Sequence, residues 1–179
     1  MNDSQKDLIM KGYVQVYTGN GKGKTTASLG LSVRAAGAGL KVVIIQFMKQ
    51  GDYSEIKALS RFDNILVEQY GSGKFVKGNP SEEEKNSCER GFRRLCEVLK
   101  SGEFDLVVAE EANVACRCGL ISEKDLLSLL DLRPAHVELV ITGRGAPAAL
   151  IEQADLITEM KEVKHYYNQG VTARIGIEK

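Results

Sequence analysis

Six short segments of this chain are apolar almost without interruption: YVQVYT (13–18), KVVIIQF (41–47), NILVEQY (64–70), DLVVAEE (105–111), HVELVIT (136–142) and DLITEMKEV (155–163). Their branched residues run together instead of alternating with polar ones, a pattern that predicts strands buried on both faces. Helical stretches lie between most of them. Lys24 to Ala38 carries small and apolar residues and stops near Gly37 and Gly39. Ser81 to Lys100 opens on a Ser-x-x-Glu capping box, Ser81 with Glu84, and stops at Gly102. Ser122 to Asp131 starts on Ser122 and Asp125 and ends before Arg133-Pro134. This rhythm predicts an α/β fold of three layers, with a mostly parallel central sheet of about six strands covered on both faces. Residues 1–11 read as a polar tail, and residues 12–179 as a single domain.

Charge narrows the possible partners. Lysine plus arginine equals aspartate plus glutamate, 24 each, so no global field draws the chain to nucleic acid or an acidic membrane. Any anion site must be local. No stretch is apolar enough to span a bilayer, and MNDSQKDLIMKG lacks a signal-peptide core, so the expected location is the cytoplasm. Cys88, Cys96, Cys116 and Cys118 show neither zinc spacing nor a Cys-x-x-Cys pair. They are expected to be buried or idle thiols, with a metal or redox role as the alternative.

The local anion site is legible. YVQVYT ends where TGNGKGKTT (18–26) begins, and a helix follows directly. A glycine-rich turn between strand and helix is the setting of a phosphate-binding loop. Gly19, Gly21 and Gly23 are expected to turn the backbone so that its N–H groups, including that of Asn20, face an anion. The helix adds its positive end. Lys24 supplies a full charge, Lys22 is an extra cation in the loop, and the Thr25 hydroxyl, followed by Thr26, suits a magnesium ion on phosphate oxygens. The glycine spacing is unusual: five positions before Gly23, where the common pattern has glycine, stands Thr18.

Two further segments are expected at the same sheet edge. DLVVAEE places carboxylates at the end of a strand expected to neighbour the first. Side chains alternate along a strand, so Glu111 is taken to face the magnesium and Glu110 to pack or pair elsewhere; a purely structural pair is the alternative. ITGRGAP (141–147) sets Arg144 between two glycines, where its planar fork can reach a phosphate. The glycine-rich stretch QYGSGKFVKGNP (69–80) is the one long loop, and loops of that kind are commonly functional.

Together TGNGKGKTT, LVVAEEAN, LRPAHVELVITGRGAP and ADLITEMKEVKHYYNQGVTARIGIE resemble the ATP:corrinoid adenosyltransferases, from about Lys11 to the C-terminus. The resemblance implies a RecA-like phosphate-loop fold, generally dimeric. It implies transfer of the 5′-deoxyadenosyl group of ATP to a cobalt(I) corrinoid with release of triphosphate, and a reductase or flavoprotein as electron donor. ATP lies reversed in the loop of that family. The implied site comprises Gly19 to Thr26 and Arg144 on ATP, with Lys24 and Arg144 catalytic and Thr25 and Glu111 on magnesium. Phe75 takes the place of the aromatic residue that displaces the corrinoid's lower axial ligand. Two positions on, where relatives often carry tryptophan, this chain has Lys77, and it contains no tryptophan. Relatives usually read Asp-Glu where this chain reads Glu110-Glu111. Lys164 and His165 match the family's pattern, but their residues alone indicate no role. Two other readings stay open at this point: a conventional phosphate-loop ATPase or small-molecule kinase, and a non-catalytic nucleotide- or corrinoid-binding relative.

Overall fold

The computed structural model describes residues 11–73 and 78–179. It contains six parallel strands in the order β3-β2-β4-β5-β1-β6. Their ranges are β1 Val14–Thr18, β2 Val42–Phe47, β3 Ile65–Tyr70, β4 Leu106–Glu110, β5 Glu138–Thr142 and β6 Leu156–Glu159. The longer helices are α1 Lys24–Gly37, α3 Glu82–Ser101 and α5 Glu123–Leu132; α2 Ser54–Leu59, α4 Ala112–Arg117 and α6 Ala148–Gln153 are short. A 3-10 turn follows at Tyr166–Gln169.

The uninterrupted apolar runs become β2 and β4, which are buried along their whole length. Alternate residues serve opposite faces. Val43, Ile45 and Phe47 pack with Leu95 and Leu99 of α3 and Leu126 and Leu129 of α5. Val42 and Ile44 pack on the other face with Ala35 and Ala36 of α1 and Leu59 of α2. The three-layer α/β arrangement is therefore as the periodicity predicts, and it is consistent with a RecA-like phosphate-loop fold.

The caps act as written in the sequence. Ser81 accepts from the Glu84 N–H while the Glu84 side chain accepts from the Ser81 N–H, and Gly102 ends α3 in the left-handed region. Ser122 caps α5 by accepting from the Asp125 N–H. The three short helices were not evident, because six residues are too few to display a helical period.

Two expectations need correction. β6 is not buried on both faces: all four residues are exposed, and the strand stops at Glu159 rather than at Val163. It is the last strand of the sheet, paired only with β1, so no helix layer covers it. Nor is the carboxylate strand β4 a neighbour of β1, because β5 lies between them. Strand order depends on crossovers, which local sequence does not encode.

Candidate active site

In an all-parallel sheet every carboxyl end lies on one edge, and the loops that leave it converge there. The loop after β1 carries Gly19 to Gly23, that after β2 carries Lys49, β4 leads to Glu111 and β5 to Arg144. They border a cleft of about 850 Å³. Gly21, Lys22, Gly23, Lys24, Thr25 and Thr26 line it, together with Lys49, Glu111 and Arg144. Farther along α1 and on α2 the wall turns apolar, with Leu29, Val33, Ala58 and Leu59. The C-terminal residues Gly176 to Lys179 complete the wall.

The odd glycine spacing has a tertiary cause. The chain leaving β6 passes directly against the loop: a Cβ on Gly19 would lie 2.4 Å from the Met160 carbonyl oxygen, and one on Gly21 would lie 2.7 Å from it. Gly19 also has φ of 94°, a left-handed conformation that penalises side chains. The Gly21 N–H donates to the Met160 carbonyl at 2.6 Å. This narrows the expectation that the loop N–H groups face an anion: the one on Gly21 is committed to the neighbouring chain. Gly19 and Asn20 are not among the residues lining the cleft.

Lys24 opens α1, is buried, and folds back so that its ammonium donates to the Gly21 carbonyl at 2.7 Å. Burial lowers its pKa, Glu111 opposes that shift and Arg144 reinforces it. The three charges therefore feel one another across the cleft. The other loop lysine, Lys22, is 2.8 Å from Glu178 and 3.1 Å from the Tyr166 hydroxyl. Arg174 also pairs with Glu178, and these partners hold its carboxyl far below the usual carboxylate range. The C-terminal segment is thus tethered to the loop after β1.

Glu111 reaches the cleft by a different route from strand alternation. β4 ends at Glu110, and Glu111 adopts a left-handed conformation, φ 59°, as the N-cap of α4. Its N–H donates to the Thr142 hydroxyl at 3.0 Å, which ties the turn to the end of β5. Asn113, the second residue of α4, donates to the Gly143 carbonyl at 3.3 Å, next to Arg144. The Ala146 N–H donates to the Thr18 hydroxyl at 3.3 Å, joining the arginine loop to the end of β1. Thr18, Asn113 and Thr142 thus position the cleft from behind; each lies inside a motif read from the sequence, TGNGKGKTT, LVVAEEAN and ITGRGAP, but residue type alone indicated no such role.

Burial raises the pKa of Glu111, and Glu110 adds to the shift against the lowering effects of Lys49, Lys24 and Arg144. A carboxyl with a raised folded-state pKa contributes stability below its unfolded value and loses it as pH rises through the folded value. Glu111→Gln abolishes that loss. Its melting temperature relative to the parent should therefore climb as pH rises from the ordinary glutamate value of 4.5 toward neutrality, then level off. Thermal melts of the nucleotide-free protein at pH 4 and pH 8 measure this, and a pH-independent difference would contradict it.

Glu110 does not line the cleft and is paired behind it, in line with the expectation that it packs or pairs elsewhere. Wholly buried, it meets the Lys49 ammonium at 2.9 Å, and Lys49 lines the cleft. Lys49 went unnoticed in the sequence, where Phe-Met-Lys-Gln carries no motif; its place just beyond a buried strand was the available signal. His165 lies on the cleft wall, but its Nδ1 accepts the Tyr167 N–H at 3.0 Å, a capping role for the 3-10 turn. Lys164 is exposed. All four cysteines are unpaired, and burial pushes the Cys88 thiol up to about 12. Phe75 and Lys77 lie outside the described residues.

Magnesium fits this donor set in one way. Among the described residues no three His, Cys, Asp or Glu side chains cluster as a metal cage. One cleft carboxylate and the Thr25 hydroxyl suit an ion that completes its shell with phosphate oxygens and water.

A parallel sheet between two helix layers, with a cleft at its carboxyl edge lined by Lys22, Lys24, Lys49 and Arg144, is an α/β architecture consistent with a RecA-like fold. The family described as ATP:corrinoid adenosyltransferase BtuR/CobO/CobP matches residues 10–178. The chain is 33% identical over 170 residues to the corrinoid adenosyltransferase of Pseudomonas aeruginosa, covering 94% of this chain and 84% of that protein. It is 30% identical over 168 residues to the corrinoid adenosyltransferase of Escherichia coli K12, covering 94% and 86%. The same identity and coverage hold for the corrinoid adenosyltransferase CobA of Salmonella typhimurium. This chain belongs to the ATP:corrinoid adenosyltransferase family. No helix among the described residues is long and apolar enough to cross a membrane.

Proposed function

We propose that this chain transfers the 5′-deoxyadenosyl group of ATP to the cobalt(I) of a corrinoid and releases inorganic triphosphate. The observation that carries the reading beyond family membership is the cleft itself: Lys24, Lys49 and Arg144 converge where a triphosphate would leave, with an apolar wall alongside.

The reaction asks little covalent chemistry of the protein. Cobalt(I) attacks the ribose 5′-carbon, and a cobalt–carbon bond forms as the carbon–oxygen bond to the triphosphate breaks. The electron pair of the broken bond leaves on the triphosphate oxygen, while cobalt(I) becomes cobalt(III) bound to carbon. The chain must hold the two reactants in line and stabilise charge on the leaving group. Lys24 and the remaining loop N–H groups grip the triphosphate, and Arg144 meets its growing charge. Magnesium, held by Thr25 and Glu111, would neutralise phosphate charge. ATP lies with its triphosphate in the loop and its 5′-carbon turned toward the corrinoid. A hydrolase needs the reverse, with its terminal phosphate open to water. Phe75, on the glycine-rich loop, contacts the corrinoid. A reductase or flavoprotein supplies the electron that takes cobalt(II) to cobalt(I). The setting is the cytoplasm and the assembly a homodimer, which sedimentation equilibrium reads directly; a monomer at every concentration would remove that part.

The decisive experiment mixes protein, magnesium ATP and chemically reduced corrinoid in the dark, with controls lacking each. The expected products are a light-sensitive adenosylcorrinoid and an equal amount of triphosphate. ADP and phosphate with unmodified corrinoid would overturn the proposal in favour of an ordinary ATPase. Arg144→Ala should slow turnover about a hundredfold, and unchanged turnover would remove Arg144 from the mechanism.

A further inference from the structure

The polar chain behind the cleft has no part in the steps above. Glu110, Gln46 and Gln69 stand opposite one another on β4, β2 and β3. One Glu110 oxygen accepts from Gln46 Nε2 at 2.9 Å, and the Gln46 carbonyl accepts from Gln69 Nε2 at 3.0 Å. The Gln69 carbonyl in turn accepts the Gly51 N–H at 3.2 Å, just beyond Lys49. Every link fixes the Glu110 carboxylate, whose other oxygen meets Lys49. Gln46 and Glu110 are buried and Gln69 partly so, and a connected network of this kind resists rearrangement.

Lys49 is therefore held in a defined place. Its ammonium lies 2.9 Å from Glu110 Oε1 and 3.4 Å from Thr25 Oγ1. Burial by itself would lower its pKa, but Glu110, with help from Glu111 and Glu55, outweighs that and keeps it charged. An ammonium has three hydrogens. With two directed at Glu110 and Thr25, one remains for the cleft that Lys49 lines. A positive charge between a threonine hydroxyl and a carboxylate is the arrangement in which phosphate-loop enzymes hold their divalent ion. Here the chain supplies such a charge itself.

We propose that Lys49 is a resident cation beside the metal position, one that binds the triphosphate of the nucleotide without magnesium. Nucleotide binding is then only partly metal-dependent, with Lys49 carrying the metal-free share. The inference rests on the proposed function, since it takes the cleft to hold the triphosphate.

Calorimetric titration with ATP and with inorganic tripolyphosphate, each in excess magnesium and in excess EDTA, tests this. The parent protein should bind both ligands in magnesium and keep measurable affinity in EDTA. Lys49→Met should weaken binding in EDTA by about tenfold or more, the worth of one charge-assisted hydrogen bond. In magnesium the loss should be several times smaller. Because Lys49→Met leaves Glu110 buried without a counter-charge, Lys49→Met with Glu110→Gln removes both charges and should show the same EDTA-specific loss. Equal losses in both media, or none in either, would overturn the role of Lys49. Failure of the parent protein to bind either ligand even in magnesium would instead overturn the proposed function.

Discussion

Lys24→Ala is expected to lower adenosyl transfer at saturating ATP by about a hundredfold or more. The lysine opens α1 at the throat of the cleft, buried and anchored on the Gly21 carbonyl at 2.7 Å. Little side-chain freedom is lost when a phosphate replaces that carbonyl. Its charge would act where the triphosphate gains charge as the carbon–oxygen bond breaks, so the loss should fall mainly on kcat. Lys24→Arg should not restore the rate, because a planar fork cannot take the compact site of an ammonium. Single-turnover kinetics with pre-reduced corrinoid isolates this step from cobalt reduction. A Lys24→Ala protein with unchanged kcat and raised KM would mean that the lysine only binds ground-state ATP.

Gly19→Ala should show the largest structural effect. The new methyl would lie 2.4 Å from the Met160 carbonyl oxygen, and the residue would have to keep φ near 94°. Backbone strain of this kind costs about 1–3 kcal/mol before the clash is counted, so a loss of about 2 kcal/mol or more is expected, roughly 4–8 °C in melting temperature. Relief requires the loop and the chain after β6 to separate, so nucleotide affinity should fall as well. Gly37→Ala is the control: nothing lies within 4 Å of its added methyl. It should leave stability unchanged or raise it by up to about 1 kcal/mol. Equal melting temperatures for the two variants would show that the loop does not depend on its seat against Met160.

These predictions draw unequally on sequence and structure. The place of Lys24 at the helix start beside the cleft was legible, because a glycine-rich turn between an apolar run and a helix start is the setting of a phosphate-binding loop. The reason for glycine at 19 and 21 was not, because the obstructing atom belongs to Met160, remote in sequence. Glu111 was placed correctly at the edge but for an insufficient reason: its left-handed turn directs it, and a glutamate in that conformation has no sequence signature.

The sequence alone placed the six strands approximately, the three longer helices and the caps of α3 and α5, and marked one glycine-rich turn as the expected anion site, since each depends on residues within a few positions of one another. Tertiary structure decided which strand lies beside which and left β6 uncovered at the sheet edge. It brought Lys49 to Glu110, 61 residues away, and Lys22 to Glu178, 156 residues away. Periodicity carries no information about such pairs. They arise because a parallel sheet gathers all its carboxyl ends on one edge, and packing of the two helix layers then fixes which loops meet there.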